Sequence, residues 1–296
     1  MIRTLLAVLL LTAPVVADAD NEMRERLKDE RKKFDADIKT LGVKIDAAFK
    51  KQEDDLRASK TITKAALDRL TEEKALYVEQ GIVPAWLPLA MTQQLNQLSG
   101  DLEEAYESAV KLCRKTGRDK LAAEIEKELE AIWAMKWRHI DYKDAGKLKD
   151  GHISLTVKEG TIRTKVVYSG PIEITVTART EDENIRINAY NGSVIIFNWE
   201  LNKSEFRVAR PTGTPDKLES GSHLGVKTVP LEPNKWHTFR WRITSKGMEV
   251  YDNGRLVWSE RRAYPVENMK GPIIMRRMNS AVDVEEIQVR QLDDAD

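Results

Sequence analysis

The sequence predicts a two-part α+β chain, an N-terminal α-helical region of helical hairpins followed by an antiparallel β-sandwich. Three observations carry this. An apolar stripe, Leu27, Phe34, Leu41 and Ala48, recurs every seven residues, with Ile38 and Ile45 between its members. After Gly146 that periodicity stops, and short β-rich runs separated by turn residues take over. Near the end, Asn253-Gly254 sits between two alternating apolar runs, the strongest short-range hairpin signal.

In chain order, "MIRTLLAVLLLTAPVVADAD" comes first. Arg3, the apolar run Leu5 to Val16 and the small residues up to Ala19 predict a secretory signal peptide over residues 1–19, cleaved after Ala17 or Ala19. The run is short for a membrane span, and no cysteine follows it to take a lipid. The expectation is an exported protein, periplasmic or extracellular, with no transmembrane segment in the mature chain.

The helical region is expected over residues 20–140. Its first helix is long and amphipathic; Arg31 and Gln52 interrupt the seam, which favours packing on other helices over an extended coiled coil. Thr63–Glu79 predicts a second helix, broken by Gly81, Pro84 and Pro88. A short helix over Thr92–Ser99 and a separate one over Asp101–Thr116 follow, the latter closed by Gly117. Asp119 opens the next, whose face is Leu121, Ile125, Leu129 and Ile132. Cys113 shares a stripe with Leu102, Tyr106 and Ala109, so the single cysteine reads as a small core residue.

The β-sandwich is expected over residues 146–292. Within "WHTFRWRITSKGMEVYDNGRLVW" the two-residue turn at Asn253-Gly254 and a four-residue loop at 244–247 set the register. The period of two then places Phe239, Trp241, Ile243, Met248, Val250 and Val257 on one face, which is the core. Arg240, Arg242, Glu249, Tyr251, Leu256 and Trp258 fall on the other, and Trp236 stands at the start of the strand. In the last strand Val282 and Val284 are out of phase with Ile287 and Val289, which predicts a bulge at Glu285-Glu286.

The run from "EPNKWHTFRWRI" through "DNGRLVW" and "GPIIMRR" to "VDVEEIQVRQL" resembles concanavalin A-like lectin/glucanase domains, laminin G-like modules among them, and 3-keto-disaccharide hydrolase-like exported bacterial domains. The likeness lies in residues 236–290. It implies a jelly-roll sandwich of two antiparallel sheets, in a family whose members bind glycans, hydrolyse them, or have no known ligand.

Catalytic residues do not emerge. Retaining glucanases of this fold place paired carboxylates on one strand, where one acts as acid and the other as nucleophile. Neither "TEDEN" (Glu181, Asp182, Glu183) nor "DVEEI" has that spacing, and no enzyme activity is assigned. The four histidines, His139, His152, His223 and His237, are dispersed, so no metal site is assigned. Calcium occurs in some laminin G-like domains; Asp216, Asp252 and Asp283 are candidate oxygen ligands, but no motif selects them and no cofactor is assigned. Sequons at Asn191 and Asn202 matter only in a eukaryotic secretory pathway, and the resemblance favours a bacterium. Lysine plus arginine equals aspartate plus glutamate, 48 each, which argues against a dedicated nucleic-acid binder.

The candidate ligand-binding residues are therefore Arg240, Arg242, Tyr251 and Trp258, with Tyr190 and Trp199 as candidates to extend the surface. Aromatic rings stack on sugars and arginines bind hydroxyl or acidic groups. Three readings stand side by side. The first is an exported noncatalytic protein that binds carbohydrate or a cell-envelope polymer. The second is a glycoside-hydrolase-like enzyme acting on a sugar derivative. The third is an assembly protein that self-associates or docks through residues 20–60.

Overall fold

The computed structural model describes residues 5–59, 63–190, 192–211 and 224–292, with side chains from Asp18 onward. Asn191, Asp216, His223 and the side chains of the expected signal sequence up to Ala17 lie outside the described residues. The chain divides into two compact units, Met1–Lys74 with Pro88–Lys136, and Ala75–Leu87 with Trp137–Asp296.

The helical unit is built on α1 (Leu5–Ala58), the first part of α2 (Lys64–Gln80), α3 (Leu89–Lys115) and α4 (Asp119–Lys136). Its core joins Met23 and Leu27 of α1 to Leu102, Tyr106 and Cys113 of α3 and to Leu121, Ile125, Leu129 and Ile132 of α4. Cys113 is fully buried, as the stripe requires. The two helices expected over Thr92–Ser99 and Asp101–Thr116 are one helix, Leu89–Lys115. The half-buried Met91, Leu95 and Leu98 continue the spacing of the buried Leu102 and Tyr106, so one apolar stripe runs past the exposed Gly100 and outweighs that residue's cost of about 1 kcal/mol against alanine. Gly117, at φ +72°, closes α3: its N–H donates to Arg114 O (3.1 Å) and the Arg118 N–H to Cys113 O (2.8 Å), the paired bonds of a Schellman motif. In α1 the stripe residues Leu27, Leu41 and Ile45 are all buried. No helix among the described residues is long and apolar enough to cross a membrane.

In the second unit the strands are β1 (Ile140–Asp141), β2 (Gly146–Lys149), β3 (His152–Leu155), β4 (Thr161–Thr164), β5 (Tyr168–Ser169), β6 (Ile172–Thr180), β7 (Ile185–Ala189) and β8 (Ser193–Phe197). They continue with β9 (Glu205–Ala209), β10 (Leu224–Lys227), β11 (His237–Thr244), β12 (Gly247–Asp252), β13 (Arg255–Arg261), β14 (Lys270–Gly271), β15 (Ile274–Arg276) and β16 (Val282–Gln291). The first sheet has the order β1-β4-β15-β7-β8-β9-β10, the second β13-β12-β11-β6-β16-β3-β2, and β5 pairs with β14 apart from both. Alternation supplies the core. Ile162, Ile187, Ile195, Phe206 and Val208 of the first sheet meet Ile153, Ile174, Val176, Phe239, Trp241 and Val284 of the second. Phe197 and Phe239 bridge the sheets with ring centroids 4.3 Å apart.

The Asn253-Gly254 turn has φ of +48° and +79°, the left-handed pair of a type I′ hairpin. The expected pairing follows from it: Asp252 with Arg255, Arg240 with Tyr251, Arg242 with Glu249 and Ile243 with Met248. The 244–247 connection is tighter than expected, because Thr244 and Gly247 themselves pair. β16 shifts register between Val284 and Glu286, the predicted bulge, with Glu285 left over. A second bulge in β13 has no counterpart in the alternation. Val250 pairs with Trp258, not Val257, so Val257 is the extra residue and the ladder slips by one.

Residues 75–87 belong to the sandwich although they lie before the α3–α4 hairpin. Ile82 is buried in the sandwich core, Arg138 donates to Gly81 O (3.0 and 2.6 Å), and the Gln291 N–H donates to Ala85 O (2.9 Å). Trp137 anchors the chain's return, buried and donating from Nε1 to Gly151 O (2.9 Å).

Candidate functional site

The outward face of the second sheet is ruled into cross-strand rows by β16, β6, β11 and β12. One row reads Arg290, Glu173, Arg242, Glu249, and the next Gln288, Thr175, Arg240, Tyr251. A third carries Glu286, Thr177 and Thr238. In the first row Glu173 is a shared anion: Arg290 Nη2 lies 3.1 Å from it, Arg242 Nε 3.5 Å and Arg240 Nε 4.0 Å. Arg242 Nη1 also lies 3.6 Å from Glu249, which accepts a hydrogen bond from the Tyr251 hydroxyl at 2.9 Å. The Arg240 guanidinium lies over the Tyr251 ring, 4.1 Å from its centroid, a cation–π contact. Partial burial, followed by the Glu249 bond and charge, raises the Tyr251 pKa and keeps its hydroxyl a donor.

Three of the four predicted residues, Arg240, Arg242 and Tyr251, come together here. Trp258 does not. The β13 bulge turns it inward, where it is 9% exposed and faces Phe206 at 6.5 Å between centroids. Tyr190 and Trp199 do not extend this face either. Tyr190 is buried at the end of β7 and donates to Gly170 O; Trp199 follows β8 of the first sheet and carries Arg207 3.3 Å over its ring. Glu173, Thr175, Gln288 and Arg290 are the members that sequence reading missed. Their signal was present: "IEITVTAR" and "EIQVR" alternate polar with apolar. What was absent was any local cue that β6 lies between β11 and β16.

About 20 Å further along β6, at roughly 3.3 Å per residue, the same face ends in a second polar group. Asp283 accepts from Ser154 Oγ (2.6 Å) and from Arg179 Nε (2.9 Å), with His152 Nε2 at 3.6 Å. Burial pushes the Asp283 carboxyl up, but the hydrogen bonds from Ser154 and Arg179 and the neighbouring positive charges outweigh it and hold its pKa below the usual value. Trp236 closes this end, with Arg179 4.5 Å over its ring and His152 edge-on at 5.7 Å.

Among the described residues no group of three or more His, Cys, Asp or Glu is placed to hold a metal ion. Of the aspartates considered for calcium, Asp283 is engaged as above and Asp252 accepts from or bonds to His237 Nδ1 at 2.8 Å. "TEDEN" is the turn between β6 and β7, where Asp182 pairs with Lys203 and Glu183 with Asn279 (2.7 Å).

The topology defines the class: two antiparallel seven-stranded sheets stacked face to face, an antiparallel β-sandwich. No protein-family model and no curated protein matches the sequence. Among solved structures, the Emp46p carbohydrate recognition domain in its metal-free form is similar at 13% identity, over 54% of this chain and 92% of that one, with a TM-score of 0.43. The carbohydrate-binding module CBM66 from Bacillus subtilis is similar at 14% identity, over 47% and 86%, with a TM-score of 0.36. A Bacillus licheniformis β-glucanase is similar at 13%, over 51% and 84%, with a TM-score of 0.41.

Proposed function

We propose that this chain is an exported, noncatalytic carbohydrate-binding protein, and that the outward face of its second sheet is the binding surface. The observation that carries the reading is the exposure of that face at its best-equipped point. Arg240 keeps 44% of its side-chain surface in solvent while stacked on Tyr251, in one row with Thr175 and Gln288. A ring offers a flat apolar platform to a sugar, and threonine, glutamine and arginine supply bonds to its hydroxyls. The two carboxylates of the first row, Glu173 and Glu249, are both held in ion pairs with arginine, an arrangement suited to binding rather than to protonating a glycosidic bond. Export rests on the leader-like first 19 residues, and N-terminal sequencing of the exported protein checks it by a start after Ala17 or Ala19.

The test is a glycan array on the full chain followed by titration of the best ligand. Arg240→Ala and Tyr251→Ala are each expected to weaken binding about tenfold, the scale of one lost stacking or charged contact. Binding that survives both substitutions unchanged removes this face as the site.

A further inference from the structure

We infer that the ligand of this face is an acidic polysaccharide, one bearing carboxylates or another fixed anion along its chain; this rests on the carbohydrate reading above. The argument is an imbalance of charge and of hydrogen-bond donors at the Glu173 end. Arg240, Arg242 and Arg290 occupy adjoining positions there, and Arg261 lies exposed at the same end, opposite Gly247. Glu173 and Glu249 oppose these four charges in the rows of Arg240, Arg242 and Arg290, while Glu286 in the next row accepts from Gln288. Three arginines share Glu173, and one carboxylate cannot satisfy three guanidinium groups of five donors each.

The geometry shows which donors remain. Arg290 reaches Glu173 at hydrogen-bonding distance, 3.1 Å. Arg242 and Arg240 stand off at 3.5 and 4.0 Å, ion-paired but not hydrogen-bonded to it, and the buried Nε of Arg242 has no hydrogen-bond partner. Arg240, 44% exposed, therefore faces solvent with its donors largely unspent, and Arg242, 25% exposed, stands beside it with its own donors only partly used, next to the neutral Thr175 and Gln288. Like charges side by side on a sheet repel, and an incoming anion relieves that repulsion. A neutral sugar offers hydroxyls that donate as well as accept. A carboxylate or sulfate offers only acceptors and supplies the missing charge, and it fits a guanidinium fork in bidentate fashion. The Tyr251 ring under Arg240 holds that fork in place and gives the sugar ring bearing the anion an apolar surface beside it.

The experiment compares two forms of one polymer on the full chain by isothermal titration: polygalacturonate and the same polymer fully methyl-esterified, each at low and at high NaCl. The acid form is expected to bind at least about tenfold tighter at low salt, with the advantage shrinking as salt screens it. Arg242→Ala is expected to remove most of that advantage, weakening the acid form by more than the ester form. Arg242→Lys, which keeps the charge and loses the fork, falls between and covers the case of an alanine variant that does not fold. Dextran sulfate in parallel separates sulfate from carboxylate as the preferred anion. Equal affinity for acid and ester overturns the inference and leaves the carbohydrate reading standing. Binding of neither, together with an empty glycan array, removes both. Equally tight binding of single-stranded DNA marks general adhesion to polyanions and also overturns it.

Discussion

Asp283 shows how a single side chain can be read from its surroundings. Its carboxylate takes bonds from Ser154 and Arg179 and lies near His152, contacts that join β3, β6 and β16 across the sheet. Because these contacts hold its pKa in the folded state below the value of about 3.9 for a free aspartate, folding favours the ionised form. The stabilisation is then fully present above that free value and is lost as pH falls through the lower folded value. Asp283→Asn should therefore lower the melting temperature at pH 7, and the gap to the unaltered protein should close below about pH 4; thermal melts across pH check both. At this scale the sequence was most informative beside a strong turn. Arg240, Arg242 and Tyr251 were placed correctly because Asn253-Gly254 leaves one register open. Trp258 lies beyond the point where that register slips, and the slip, which alternation does not encode, turns it toward Phe206.

Elements were legible where one apolar period dominated. The β11–β12 pair, the β16 bulge and the α3–α4 hairpin all follow from spacing in the sequence. The division of α3 did not survive, because a glycine was given more weight than the stripe running through it. Gly100 is exposed, and a side chain there would meet nothing within 4 Å. Gly100→Ala should therefore stabilise the helical unit by about 0.5–1 kcal/mol, seen as a higher denaturation midpoint at unchanged slope. A drop in the midpoint would mean that the helix needs flexibility at that point.

For the whole molecule, the boundary between units follows packing and not order along the chain. The sandwich owns residues 75–87, which precede the α3–α4 hairpin, and nothing in their composition announced it. "GIVPAWLPL" reads as a helix breaker, which it is, but Ile82 also sits at 3% exposure in the β core. Ile82→Ala should cost about 2–5 kcal/mol, the range for emptying a buried isoleucine. It should lower the unfolding transition followed by tryptophan fluorescence, since most tryptophans lie in that unit. An unchanged transition would show that the segment only rests on the sandwich.

The two bulges bear on how a gene for such a sandwich can change length. At Val257 and at Glu285 the strand holds one residue more than its partner pairs with. Loss of either codon would restore regular pairing and leave Arg240, Arg242, Tyr251, Gln288 and Arg290 on the side they occupy now. Loss of a codon elsewhere in β13 or β16 would turn the residues between it and the bulge to the opposite side, moving core into water and charge into core. Related chains should thus vary in length at these two sites before any others in those strands, and the outward arginines should outlast the change.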